Sequence, residues 1–75
     1  MLDAKTRELI EVAIAIKAQS VPCIIYHTKA ALEAGATKEE LLHTGMIAVV
    51  MGGGNSYAQL QHLIKAIDAF EKKLK

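Results

Sequence analysis

Apolar residues along this chain fall into four blocks separated by short polar or glycine-containing breaks. The first, Leu9-Ile-Glu-Val-Ala-Ile-Ala-Ile16, is apolar at nearly every position. Its β-branched run would also suit a strand. The block is long, however, and no hairpin turn signal lies nearby, so the pattern predicts a helix. Asp3 is placed to cap that helix and Ala18 to end it, with Lys5, Arg7, Glu8 and Glu11 on its wetter side. A helix apolar on so much of its circumference has to be covered on several sides.

The second block opens at Ser20-Val-Pro-Cys-Ile-Ile-Tyr-His27 and closes at Gly35. Ser20 is a candidate N-cap, its hydroxyl accepting from the N–H of Cys23, and proline is tolerated in a first turn whose N–H groups have no helical partner. Glycine at 35 suits the left-handed residue that ends many helices. Thr37-Lys-Glu-Glu40 has the form of a capping box and starts a third helix expected to reach Met51. The triplet Gly52-Gly-Gly54 breaks it. Without a preceding strand or a following Gly-Lys-Ser/Thr it reads as a sharp turn between closely packed helices rather than a phosphate cradle. Asn55 or Ser56 would cap a fourth helix carrying Leu60, Leu63, Ile64, Ile67 and Phe70 as its apolar stripe. Its close, Glu71-Lys-Lys-Leu-Lys75, suits the cationic end of a last helix. The expected architecture is all-α, one compact four-helix domain over residues 1–75.

Composition adds one strong constraint. Of 75 residues 52% are hydrophobic and only 4% aromatic, a surplus of aliphatic surface for so small a domain. Burial between copies of the chain would absorb it, and a homo-oligomer is expected. The net charge of +1, from nine basic and eight acidic residues spread along the chain, offers no footprint for nucleic acid or an anionic membrane. The longest unbroken apolar stretch, Met46 to Met51, is far short of a membrane span, and the first residues show no signal-peptide pattern. A single cysteine forms no intrachain disulfide, which suits a reducing compartment and a cytoplasmic location.

That cysteine carries the candidate chemistry. Cys23 falls in the first turn of the second helix with His27 four residues on, so thiol and imidazole share one face. The partial positive charge at the helix start favours a thiolate, and the imidazole can take up its proton. The same spacing equally suits an inert buried thiol, because free cysteine is among the most buried residue types. Metal binding competes for the pair, but zinc wants three or four ligands, and His43 and His62 have no spacing link to Cys23. No metal or cofactor is expected. Glu8 and Glu11 are the carboxylates that reach the site if the first two helices pack together; otherwise they are solvated charges.

Three segments together resemble the carboxymuconolactone decarboxylase family, and within it the alkyl hydroperoxidase D-like branch: Leu2-Asp-Ala-Lys-Thr-Arg-Glu-Leu-Ile10, Cys23-Ile-Ile-Tyr-His27 onward to Glu40, and Met51-Gly-Gly-Gly54. The redox branch carries a Glu, then Cys-x-x-Cys, then a His four residues after the second Cys. Aligning that second Cys with Cys23 places the His on His27 and the Glu on Glu8; the first Cys falls on Ser20, a departure. The resemblance implies that Cys23 attacks a peroxide while Glu8 and His27 relay its proton. It also implies trimers or hexamers of an all-α unit. With Ser20 in place of the resolving thiol, disulfide cycling within one chain is excluded, and an external thiol or a cysteine from another chain must resolve the oxidised Cys23.

The leading expectation is therefore a one-cysteine, thiol-dependent peroxidase with catalytic residues Cys23, His27 and Glu8. Decarboxylation of a muconolactone-type acid is the alternative enzyme activity, for which Lys29 and Arg7 are the candidate cations. An inactive oligomeric scaffold or binding module is the third reading, Ser20 being what such decay would look like.

Overall fold

Four helices make up the fold in a computed structural model that describes residues 1–74, with the side chain of Leu74 left out: α1 (Ala4–Lys17), α2 (Val21–Glu33), α3 (Lys38–Gly52) and α4 (Gly54–Leu74). Helices α1 and α4 each pack mainly on α2 and α3, so the two pairs sit diagonally across the bundle. The buried centre draws on all four: Val12 and Ile16 from α1, Ile24 and Leu32 from α2, Leu41 and Ala48 from α3, Leu63 and Ile67 from α4. The β-branched run that could have been a strand is thus helical, because its apolar face is covered by two neighbouring helices rather than by a sheet.

Local chemistry sets the ends of α1, α2 and α3. Asp3 Oδ1 accepts from the N–H of Thr6 at 2.7 Å and caps α1. Thr37 Oγ1 accepts from the N–H of Glu40 at 3.1 Å, while Glu40 Oε1 accepts from the N–H of Thr37 at 2.9 Å. This is the reciprocal capping box expected at the start of α3. Glu40 also holds Lys5 Nζ at 3.0 Å, which ties the start of α1 to that of α3.

Two helices end in the same way. Past α2, the N–H of Gly35 donates to the carbonyl of Leu32 and that of Ala36 to Ala31, with Gly35 at φ +100°. Past α1, the N–H of Gln19 donates to Ile16 and that of Ser20 to Ala15. Both are Schellman closures. The second places Gln19 at φ +59° without the freedom that glycine would bring.

The caps of α2 and α4 depart from expectation. Ser20 occupies the N-cap position of α2, but its side chain makes no capping bond. At the two caps that do bond, ψ is 169° (Asp3) and 162° (Thr37); at Ser20 it is 94°. Ser20 is also the last residue of the α1 closure, with its N–H committed to Ala15. Helix α4 starts at Gly54, ahead of Asn55 and Ser56, because the carbonyl of Gly53 accepts from the N–H groups of Ser56 and Tyr57. Ser56 is instead buried. A side chain at Gly52 would collide with it and press on Lys17, so the close packing expected of the triplet falls on Gly52, while Gly53 and Gly54 face open space. Lys72 and Lys73 lie in the last turn of α4, and Lys75 falls outside the described residues.

Three outcomes follow from these ends. Thr37→Ala should lower stability by about 1 kcal/mol in urea unfolding, whereas Ser20→Ala should change it by only a few tenths. Gln19→Gly should raise stability by roughly 1 kcal/mol, by relieving the left-handed backbone. The Thr6 N–H holds the Asp3 carboxyl below its ordinary value of 3.8, and the Thr37 N–H, followed by Lys5, holds Glu40 below 4.5. Carboxyls depressed in the folded state stabilise it above those ordinary values, and that contribution disappears as pH falls through the lowered ones. The urea midpoint should therefore decline below about pH 4, and less steeply in an Asp3→Asn, Glu40→Gln double variant.

Candidate functional site

The reversal at Ala18–Ser20 lays the start of α2 alongside the second half of α1. A groove of about 350 Å³ opens between them, lined by Glu11, Ile14, Ala15 and Ala18 from α1, then Ser20, Cys23 and His27. Cys23 is the third residue of α2, within the turn whose N–H groups have no helical partner, and it is exposed. It lines this groove together with His27.

His27 is anchored from the side of α1. Its Nδ1 lies 2.8 Å from Glu8 Oε1, a bond between two largely buried side chains with 23% and 14% of their surfaces exposed. A carboxylate oxygen at that distance accepts, so Nδ1 carries a proton, and in the neutral ring the lone pair is on Nε2. Arg7 Nε sits 3.9 Å from the other oxygen of Glu8, on the solvent side. The Tyr26 ring stands edge-on to the imidazole, with centroids 4.9 Å apart.

A second carboxylate reaches the same nitrogen. Glu11 Oε1 is 3.7 Å from His27 Nδ1 and lines the groove, which Glu8 does not. That oxygen is sealed from water and has no hydrogen-bond partner. The sequence names Glu8 and Glu11 together as the carboxylates within reach if α1 packs on α2, and the family resemblance picks out Glu8; both meet His27 here, three residues apart on one helix face.

The other residues with candidate roles lie elsewhere. Lys29 is exposed on α2 and Arg7 faces solvent, and neither lines the groove. His43 is exposed on α3, and His62 lines a separate depression with Ile25 and Phe70. Among the described residues no helix is long and apolar enough to cross a membrane.

The chain is 34% identical over 70 residues to "Uncharacterized protein 4 in cox locus" of Paracoccus denitrificans, covering 93% of this chain and 63% of that one. It is 42% identical over 53 residues to an uncharacterized protein of Cupriavidus necator, covering 71% and 47%. A solved structure of a carboxymuconolactone decarboxylase family protein from Legionella pneumophila, in its apo form, superposes with a TM-score of 0.88 at 42% identity, over 92% of this chain and 62% of that one. The chain thus spans less than two thirds of the length of each of these relatives. The sequence profile of the family matches residues 1–67. On that match and that likeness of fold, the chain belongs to the carboxymuconolactone decarboxylase family.

Proposed function

We propose that this chain is a thiol-dependent peroxidase of the alkyl hydroperoxidase D-like branch, with Cys23 as its only redox sulfur. The observation that carries this reading is the exposed Cys23 sharing a groove with His27, whose ring is fixed by Glu8 at 2.8 Å. With Nδ1 committed to Glu8, the lone pair on Nε2 is the acceptor for the thiol proton, directly or through one water. The thiolate attacks one oxygen of a hydroperoxide and breaks the O–O bond. Sulfur is oxidised to a sulfenic acid, and the departing alkoxide takes the proton held by His27 and leaves as an alcohol. An external thiol then condenses with the sulfenic acid and releases water, and a second displaces Cys23 as a thiol, leaving the external pair as a disulfide. Ser20 lines the groove where a resolving cysteine would stand, so neither step occurs within the chain.

The groove also bears on the decarboxylase reading. A muconolactone-type acid is anionic, yet no lysine or arginine is among the residues that line the groove, and the one ionisable acid there is Glu11. Arg7 and Lys29 face solvent instead. Assembly belongs to the same proposal. A single chain leaves Ile14, Ile47, Val50 and Met51 from half to nearly four-fifths exposed, an apolar surface suited to a second copy in a homo-oligomer such as a trimer or hexamer. An unpaired thiol suits a reducing compartment such as the cytoplasm.

Sulfenate trapping after a pulse of organic hydroperoxide, followed across pH, tests the assignment. The unmodified chain should form a trappable sulfenate at Cys23 faster than free cysteine does. Glu8→Gln and His27→Ala should slow its formation by roughly a hundredfold, the usual scale of a lost acid–base group. Formation at the rate of free cysteine, unaffected by either substitution, would overturn the reading.

A further inference from the structure

The proton relay leaves one carboxylate without a task. Glu11 directs an oxygen at His27 Nδ1, and that oxygen is sealed from water without a partner, although 39% of the side chain as a whole is exposed. A buried acceptor left unpaired is costly, and its usual remedy is a bound water or a cation. No lysine or arginine among the described residues forms an ion pair with Glu11; the one nitrogen within that range is the imidazole Nδ1 already held by Glu8.

We propose that Glu8, Glu11 and His27 form a binding site for a first-row divalent cation, one per chain. One donor atom from each lies within 4.8 Å of the other two. Zinc bonds of about 2.0–2.2 Å place neighbouring tetrahedral donors roughly 3.3–3.6 Å apart. The two separations measured from Nδ1, 2.8 Å to Glu8 and 3.7 Å to Glu11, bracket that range. Rotation of the partly exposed Glu11 side chain closes what remains. Two carboxylate oxygens and one imidazole nitrogen suit zinc, iron(II) or manganese; calcium and magnesium favour oxygen throughout. Three protein ligands leave a coordination position free, and the groove beside Glu11 and His27 gives a small molecule access to it.

Binding requires a change of tautomer: the proton now between Nδ1 and Glu8 moves to Nε2, the ring stays neutral, and the Nδ1 lone pair goes to the metal. Occupancy therefore takes the atoms that a proton relay would use, and the two states exclude each other. The site goes beyond the peroxidase reading and needs no sulfur.

Calorimetric titration of zinc chloride into the Cys23→Ser variant tests it, since that variant has neither a soft ligand for zinc nor peroxidase chemistry. Failure of the site is thereby separate from failure of the peroxidase. One zinc per chain should bind, at least tenfold more weakly in Cys23→Ser with Glu11→Gln, which leaves the Glu8–His27 bond in place, and not at all with His27→Ala. A nitrogen NMR titration of the same Cys23→Ser chain should shift the ring signals of His27 while those of His43 and His62 stay in place, a readout that needs no further substitution. Absence of binding in Cys23→Ser, binding unaffected by Glu11→Gln and His27→Ala, or shifts confined to His43 or His62 would each overturn the proposal.

Discussion

A short left-handed reversal between α1 and α2 underlies everything described at the site. Gln19 at φ +59° lets the chain close one helix and open the next within three residues, Ala18 to Ser20. Because the reversal is so short, the two helices run back along each other nearly in register. His27 lies eight residues after Gln19 and Glu11 eight before it, with Glu8 one turn beyond. Each helix climbs 1.5 Å per residue, so positions equally far from the turn come level across the hairpin. A longer loop would free that register, and the carboxylates would be ordinary surface charges. A backbone angle unfavourable for glutamine is what a turn this short requires.

The same economy explains why Ser20 does less than its residue type suggests. A serine at a helix start usually spends its hydroxyl on an orphan N–H. Here the residue also finishes α1 by donating its N–H to Ala15, and its ψ of 94° lies well short of the 162–169° at the two caps that bond. Thr37 also follows a Schellman closure but stands one residue beyond it: Ala36 takes the last bond of α2, and Thr37 is free to cap α3. One residue of spacing separates a working cap from an idle one. The first turn of α2, Cys23 included, therefore receives no side-chain cap from Ser20.

What was legible in the sequence follows this division between local and tertiary causes. The Asp3 cap, the Thr37–Glu40 box, Gly35 and the glycine break are decided by a few adjacent residues, and each lies where the pattern places it. The family resemblance, carried by short segments with fixed spacing, was equally visible and marked out Glu8 and His27, which the fold brings into contact. Less legible were features that depend on what packs beyond the local turn. The idle hydroxyl of Ser20 needs the end of α1 to be seen. The early start of α4 needs Ser56 to be buried against Gly52. Gly45, unremarkable mid-helix, leaves room for Leu60 and Leu63 of α4, whose methyl carbons would lie within 2.8 Å of any Cβ there. Glu11 could be assigned to the site or to solvent only once the hairpin register was known.

That register also decides what the groove favours. Its walls are aliphatic, Ile14, Ala15 and Ala18, and its polar groups gather at Glu11, Ser20, Cys23 and His27. Two acids meet at one imidazole there, while the cations of the neighbourhood, Arg7 and Lys29, point to water, where a bulk dielectric blunts their reach. An incoming anion would lose hydration on entering and meet Glu11 with no lysine or arginine among the lining residues, only the partial charge of the α2 N-terminus to offset it. A neutral hydroperoxide would meet aliphatic walls and a thiol, and a cation would meet three donor atoms already converging. The electrostatics of the groove thus favour neutral and cationic visitors over anionic ones. A thiolate at Cys23 would deepen that preference by adding one more negative charge to the same wall.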